Sequence, residues 1–103
     1  MMPRRVLFFL SCLLISWYST AAENAKQLAV RHQCFGCHAV GEARAGPAFQ
    51  QVVERYGMRQ DALAYLLTEV KNGSVGKWGE TPMPPEAVPD AELKQILQWV
   101  IQQ

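Results

Sequence analysis

The run CFGCH at residues 34–38 constrains this chain more than any other feature of its sequence. Cys34 and Cys37 are separated by two residues, and the only other cysteine is Cys12. Disulfides stabilise a small domain by joining distant parts of the chain, which a pair with this spacing cannot do. Without its first 22 residues, which are assigned to a leader below, the chain keeps 81 of its 103 residues, near the size at which an apolar core alone is marginal. The sequence therefore favours a single domain whose core is completed by a bound group.

The spacing Cys-x-x-Cys-His is typical of covalent haem attachment. In a helical turn, a two-residue spacer lets both thiols reach neighbouring vinyl groups, and His38 then follows directly under the iron. A thioredoxin-like redox pair would need a βαβ setting, which the sequence lacks. A zinc site would need a fourth ligand, and His32 lies too close in sequence to complete a tetrahedron easily. We therefore predict one haem c, attached through Cys34 and Cys37 with His38 as an iron ligand.

The first 22 residues have the pattern of a secretory signal peptide. Arg4 and Arg5 form a positive segment, residues 6–15 are nearly all apolar, and residues 19–22 are small. This order predicts cleavage after residue 22. In bacteria the covalent haem is attached outside the cytoplasm, so the same segment predicts a periplasmic protein.

Two alternatives to a cleaved leader remain open. An uncleaved membrane anchor would need about 20 predominantly apolar residues, whereas residues 6–18 are fewer and contain three polar or sulfur-bearing side chains. A lipid-modified Cys12 is the other alternative, and the apolar segment before it is short. We therefore assign residues 1–22 to the leader and residues 23–103 to one haem-binding domain.

The charge of the chain is nearly balanced, with 10 Lys and Arg against 9 Asp and Glu. Loss of Arg4 and Arg5 with the leader changes the formal charge from +1 to −1. A nucleic-acid partner would need a strong basic excess. The sequence therefore predicts none.

Apolar residues recur at helical spacing in four segments, and no segment alternates as a strand would. The long connection at residues 73–89 contains four prolines and three glycines, and a loop of this length in a small domain is usually functional. The pattern predicts a C-terminal glycine at Gly57 and a capping side chain at Asp61. The predicted helices cover residues 24–33, a segment from Ala48 to Gly57, one from Asp61 to Asn72-Gly73, and one from Pro89-Asp90 to Ile101.

A haem iron has a second axial face, for which Met58, Met83 and His32 are the candidates. Met83 lies between Pro82 and Pro84, and prolines hold the backbone in place at low entropic cost. Met58 follows a helix end, where methionine more often fills a gap in the core. His32 precedes the attachment turn on the same side as His38, and we interpret it as a surface residue. We therefore predict Met83 as the second iron ligand.

Four short segments follow the Cys-x-x-Cys-His motif: Gly46-Pro47-Ala48-Phe49, Lys71-Asn72-Gly73-Ser74, Lys77-Trp78-Gly79 and Pro82-Met83-Pro84-Pro85. In this order they make the chain similar to the short bacterial class I cytochromes c, from about residue 26 to the C-terminus. The resemblance implies a small all-α cytochrome c fold, about four short helices wrapped round one covalently bound haem. It also implies a periplasmic electron carrier.

The resemblance also implies roles for further residues. The carbonyl of Pro47 would accept a hydrogen bond from the free ring nitrogen of His38, a contact that orients a metal ligand. The indole N–H of Trp78 would point to a haem propionate, although an ordinary core position for this ring stays open. Trp99 is expected to pack between the first and last helices.

Two carboxylates depart from the pattern of the family. Glu69 stands where a basic residue can face a propionate, and Glu86 stands where an amide often supports the methionine sulfur. Negative charge near the haem favours the ferric form. The resemblance therefore does not predict how the reduction potential is tuned.

An iron held by His38 and Met83 has no open coordination position, which suits electron transfer rather than catalysis. No cluster of acid, base or nucleophile accompanies the haem motif, so we expect no enzyme activity and no small-molecule substrate. The partners would be redox proteins of the reductase, oxidase or peroxidase type. The protein itself is expected to be a monomer. An enzyme or gas sensor, which would need Met83 to leave the iron, and a permanently docked haem subunit are the alternatives.

Overall fold

Four α-helices and one 3-10 turn form the fold in the computed structural model, which describes residues 23–103. Within those residues there is no strand, only two isolated bridges. The predicted all-α class is confirmed, whereas the predicted leader lies outside the described residues and stays a prediction. The elements are α1 (Ala25–Arg31), the turn Cys34–Gly36, α2 (Phe49–Tyr56), α3 (Ala62–Asn72) and α4 (Asp90–Ile101).

Helix α1 begins with a reciprocal cap. The Asn24 side chain accepts a hydrogen bond from the Gln27 backbone N–H at 2.8 Å, and the Gln27 side chain accepts one from the Asn24 N–H at 3.0 Å. Two N–H groups that have no partner inside the helix are thereby satisfied. This cap gives the chain before the haem motif a defined direction.

The predicted C-terminal glycine of α2 is confirmed at Gly57, whereas the predicted side-chain cap of α3 is absent. Gly57 closes α2 in a right-handed conformation (φ −63°) rather than the left-handed one of many C-terminal glycines, and a Cβ there would lie 2.6 Å from the Val53 carbonyl oxygen. Asp61 precedes α3 with φ −101° and ψ 20°, outside the extended geometry that a capping side chain needs. Its carboxylate instead accepts hydrogen bonds from the Arg59 guanidinium at 2.8 and 3.0 Å. The predicted cap at Asp61 is therefore wrong.

Helix α4 is the centre of the packing, because it contacts α1, α2 and α3, whereas these three make little contact with one another. Burial of each large apolar side chain contributes about 1.5–3 kcal/mol. The buried residues of α4, which recur at helical spacing on one face, are Leu93, Ile96, Leu97 and Val100. The core consists of Leu28, Ala29, Phe49, Leu66, Val88, Leu93, Ile96, Leu97 and Val100.

A polar cluster joins α1 to α4 beside this core. The two oxygens of Glu92 accept hydrogen bonds from Arg31 and from Nε2 of His32, each at 2.7 Å. Arg31 also donates to Glu23 at 3.0 Å. The His32 side chain is only 18% exposed, so the interpretation of His32 as a surface residue is wrong. A carboxylate from the first turn of α4 draws it inward.

Two other side chains lie in places that the sequence did not indicate. Met58 is 96% exposed and fills no gap in the core, because it follows the end of α2 on the solvent side. Trp99 is half-buried, and its ring meets Phe35 and Phe49 edge-on with centroids 6.1 and 5.7 Å away. These ring contacts join α4 to the 3-10 turn and to the start of α2.

Candidate functional site

The haem motif forms a tight turn directly after α1. Gln33 adopts a left-handed conformation (φ 62°), which is uncommon for a residue with a side chain, and it reverses the chain into the turn. Cys34 is half-buried and Cys37 is exposed, and neither forms a disulfide. The backbone N–H of His38 donates to the Cys34 carbonyl at 3.0 Å. The two thiols and the imidazole therefore come from one hydrogen-bonded turn.

The ring of His38 is held in one orientation and one tautomer. Its Nδ1 lies 2.6 Å from the carbonyl oxygen of Pro47. A carbonyl can only accept, so Nδ1 carries the proton and Nε2 keeps its lone pair for a metal. The buried ring of Phe49 stacks on the imidazole with centroids 5.2 Å apart and planes at 24°. The contact that the resemblance implied for Pro47 is present.

Gly46 makes this arrangement possible. A Cβ atom built on Gly46 would lie 2.6 Å from Cε1 of the His38 ring, a distance that excludes any side chain. The Gly46 N–H donates to the Cys37 carbonyl at 2.8 Å, which ties the loop to the motif. The glycine is therefore required by the close approach of its backbone to the imidazole.

Met83 is held by its backbone as well as by the neighbouring prolines. Its N–H and carbonyl form two hydrogen bonds with Ser74, of 2.9 and 3.0 Å. Gly73, with φ 74°, turns the chain from α3 into this pairing, and a Cβ there would lie 2.7 Å from the Met83 carbonyl oxygen. The half-buried Met83 is thus anchored to the end of α3.

One cleft brings the predicted site residues together. Its apolar side is built by α3 and α4, whose buried faces therefore serve both the core and the cleft. Among its lining residues are Leu66, Val70, Leu93, Ile96, Leu97 and Val100. The predicted side chains that line the same cleft are Cys34, Cys37, His38, Pro47, Trp78 and Met83.

The two carboxylates that line the cleft, Glu69 and Glu86, have different surroundings. Glu69 forms an ion pair with Lys77 at 2.5 Å, and Glu69, then Tyr65, raises the pKa of the Lys77 ammonium. The negative charge of Glu69 is thereby offset. Glu86 has no ion-pair partner within residues 23–103. Burial raises the pKa of the Cys34 thiol, and Glu86 raises it further.

Trp78 has a contact with Arg55 that the sequence did not predict. The guanidinium carbon of Arg55 lies 3.5 Å from the centre of the Trp78 ring, and Tyr56 meets the same ring edge-on at 6.1 Å. Arg55 and Trp78 are far apart in sequence, so no local pattern indicates that they meet. Only the path of the long loop across α2 brings them together.

The donor set of the cleft fits haem c. Two unpaired thiols in one turn, an imidazole with a free Nε2, a thioether and an apolar wall are the groups that covalent attachment and axial ligation require. The family model described as Cytochrome c matches residues 22–103. The chain belongs to the cytochrome c family.

Other cytochromes c are similar to it over most of their length. Cytochrome c-552 of Hydrogenobacter thermophilus is 43% identical over 76 residues, which cover 74% of this chain and 78% of that protein. Cytochrome c-551 of Pseudomonas aeruginosa is 35% identical over 103 residues, covering 100% and 99%. The crystal structure of Nitrosomonas europaea cytochrome c552 matches with a TM-score of 0.71 and 38% identity, covering 74% of this chain and 95% of that one.

Membership of the cytochrome c family settles the general function. The protein is a short class I cytochrome c with one covalent haem, and it carries electrons between redox proteins rather than catalysing a reaction. A single Cys-x-x-Cys-His motif accounts for the single haem. Within residues 23–103, no helix is long and apolar enough to cross a membrane.

Proposed function

We propose that His38 and Met83 are the two axial ligands of the haem iron, and that the protein shuttles electrons in the periplasm. The observation that carries this proposal is the shared cleft, in which both side chains lie with the two thiols. His38 has its Nε2 free because Nδ1 donates to Pro47. Met83 has its backbone tied to Ser74.

The bound haem supplies a one-electron redox couple at its iron. His38 and Met83 would hold the iron of that haem, because one side chain is fixed by a ring hydrogen bond and the other by a paired backbone. A thioether stabilises the reduced iron and raises the reduction potential. With both side chains bound to the iron, no coordination position would be open to a substrate, which favours electron transfer.

Pro47 and Trp78 act on the ligands and on the haem edge in this proposal. Pro47 sets the tautomer of His38 through the 2.6 Å contact. The half-buried Trp78 lines the cleft, and its indole N–H is available to a carboxylate such as a haem propionate. Support for this role comes from the position of Trp78 in a segment that crosses the cleft edge.

The place of action and the partners extend the proposal. Residues 1–22 would direct export and be removed after Ala22, leaving residues 23–103 as a carrier. Its donor and acceptor would be periplasmic or membrane-bound redox proteins of the reductase, oxidase or peroxidase type. A permanently docked subunit is not favoured, because the matched relatives are themselves small cytochromes covered over 78% and 99% of their lengths.

Replacement of Met83 tests the ligand assignment. In Met83→Ala the ferric holoprotein should lose its methionine-to-iron absorption band, and the ferrous form should bind carbon monoxide readily. The potential should fall by a sizeable fraction of the roughly 0.8 V range that axial ligands span. Visible spectroscopy and protein-film voltammetry measure these changes.

Met58→Ala is the matched control for this experiment. Met58 is 96% exposed, so its loss should change neither the spectrum nor the stability. Loss of the band in Met58→Ala and not in Met83→Ala would show that the assignment is wrong. Rapid carbon monoxide binding by the native ferrous protein would contradict the carrier function and favour a sensor.

A further inference from the structure

Residues 76–79 form the part of the long loop that crosses the cleft edge. Gly76 and Gly79, at the two ends, both have positive φ angles, of 77° and 106°. Lys77 and Trp78 lie between them and line the cleft. No helix or strand includes this segment, so no regular hydrogen-bond ladder holds its backbone. Its position depends on side chains from neighbouring helices.

Arg55, in the last turn of α2, makes two separate contacts with this segment. Its Nη1 donates to the carbonyl oxygen of Lys77 at 2.6 Å, a short, charge-assisted hydrogen bond. Its guanidinium carbon lies 3.5 Å from the centre of the Trp78 ring, well inside the roughly 6 Å range of cation–π attraction. One planar group therefore fixes both the backbone and the indole.

The other contacts of the segment hold different atoms. The Lys77 ammonium pairs with Glu69 and donates to Tyr65 at 3.1 Å, but it sits on a flexible four-carbon stem and constrains the backbone weakly. Tyr56 meets the Trp78 ring edge-on. Arg55 is thus the residue whose side chain packs on the face of the indole.

We propose that Arg55 is a positioning residue that holds Trp78 against the haem cleft and keeps the loop carrying Met83 closed over the haem. The inference rests on the proposed function, in which Trp78 and Met83 face the haem. Without the guanidinium, the segment between the two left-handed glycines moves more freely. Opening of the Met83 side of the cleft then becomes more frequent, and small external ligands reach the iron faster.

A matched pair of variants tests this inference, Arg55→Gln and Arg59→Gln. Arg59 also lies over a ring, with its guanidinium carbon 4.1 Å from the centre of Tyr65, but its hydrogen bonds go to Asp61. Each substitution removes one positive charge from an exposed arginine. The pair therefore separates positioning of the loop from a general charge effect.

Two rates are measured on the holoproteins: carbon monoxide binding to the ferrous form by stopped flow, and hydrogen exchange of the Trp78 indole N–H by NMR. In Arg55→Gln both should rise about tenfold, as expected for loss of one charge-assisted hydrogen bond. In Arg59→Gln both should stay within about twofold of the native rates. Arg55→Lys, which keeps the charge but not the planar group, should fall between Arg55→Gln and the native protein.

The outcomes separate this inference from the proposed function. Equal rates in Arg55→Gln and Arg59→Gln, with both variants folded by circular dichroism, would overturn the role of Arg55 while Met83 stays the ligand. Rapid carbon monoxide binding by the native protein would overturn Met83 ligation, and this inference with it. A selective rise in Arg55→Gln, partly reversed in Arg55→Lys, supports the role.

Discussion

His38 shows how closely a single residue can depend on its neighbours. The imidazole is bounded by the Pro47 carbonyl on one nitrogen, by the Phe49 ring on one face and by the Gly46 backbone at its Cε1 edge. Each neighbour removes one freedom of the ring. In the folded protein these neighbours therefore fix the direction of the metal-binding nitrogen.

Gly46→Ala should displace this imidazole. The new Cβ would lie 2.6 Å from Cε1 of His38, and overpacking of this kind costs about 1–3 kcal/mol. We expect a lower yield of haem-loaded protein and a lower melting temperature. The haem content per protein and the thermal unfolding curve measure both effects.

Gly36→Ala provides the control within the same motif. A Cβ at Gly36 meets no atom within 4 Å, so haem content and melting temperature should stay native. Equal losses of haem content and melting temperature in the two variants would mean that the lost backbone flexibility of glycine, rather than the contact with His38, is responsible.

Among single residues, the sequence predicted those whose role follows from a short motif. Cys34, Cys37 and His38 lie in the cleft as expected. Met83 lies there too, and it was predictable because the neighbouring prolines indicate an ordered loop. Arg55 escaped notice because its partner lies on a distant loop. Met58 was misplaced because helical spacing stops at Gly57 and gives no direction to the next side chain.

The interface between helices α1 and α4 combines apolar packing with the cluster of Glu23, Arg31, His32 and Glu92. Glu92 lies in the first turn of α4, where a carboxylate is favoured by the helix dipole. Hydrogen bonds from Arg31, and then from His32, lower the pKa of the Glu92 carboxyl. Ionisation of Glu92 therefore stabilises the contact between the two helices.

Glu92→Gln should destabilise the protein in a pH-dependent way. Because the folded-state pKa of Glu92 lies below its unfolded value, its contribution is present above the unfolded pKa and is lost as the pH falls through the folded one. At about pH 7 the variant should therefore melt below the native protein, and at about pH 3 the difference should shrink. Thermal melts of the haem-loaded proteins at both pH values measure this.

Glu42→Gln serves as the control, since Glu42 forms no ion pair within residues 23–103. Its melting temperature should match that of the native protein at both pH values. A melting difference for Glu92→Gln that stays constant with pH would contradict the ionic origin of the effect.

The helices themselves were predictable, since apolar spacing placed four of them where they lie. The side-chain contacts at the starts of the helices were harder to predict. Asp61 has the right residue type for a cap, yet Arg59 takes its carboxylate and the backbone before α3 is not extended. The cluster around Glu92 joins segments about sixty residues apart, so only the assembled pair of helices defines it.

At the scale of the whole molecule, the core and the haem site share the same walls. The buried face of α4, with Leu93, Ile96, Leu97 and Val100, lines the cleft as well as the contacts to the other helices. Haem held in the cleft would pack against this same face. The cofactor would therefore extend the core.

The protein without covalent haem should be largely unfolded, because ligand binding and folding are coupled when one completes the other. The variant Cys34→Ala, Cys37→Ala, purified without haem, should lose most of its helical circular dichroism and melt without cooperativity. The haem-loaded native protein is the reference. A cooperative melt with full helical content would contradict this expectation.

The central position of α4 also has a consequence for the order of events during export. Helices α1, α2 and α3 make little contact until α4 joins them, and α4 comes after the other three along the chain. A chain that crosses the membrane from its N-terminal end would present Cys34 and Cys37 outside the cytoplasm before α4 follows. We therefore expect the two thiols to be accessible to the haem-attaching machinery before the core closes.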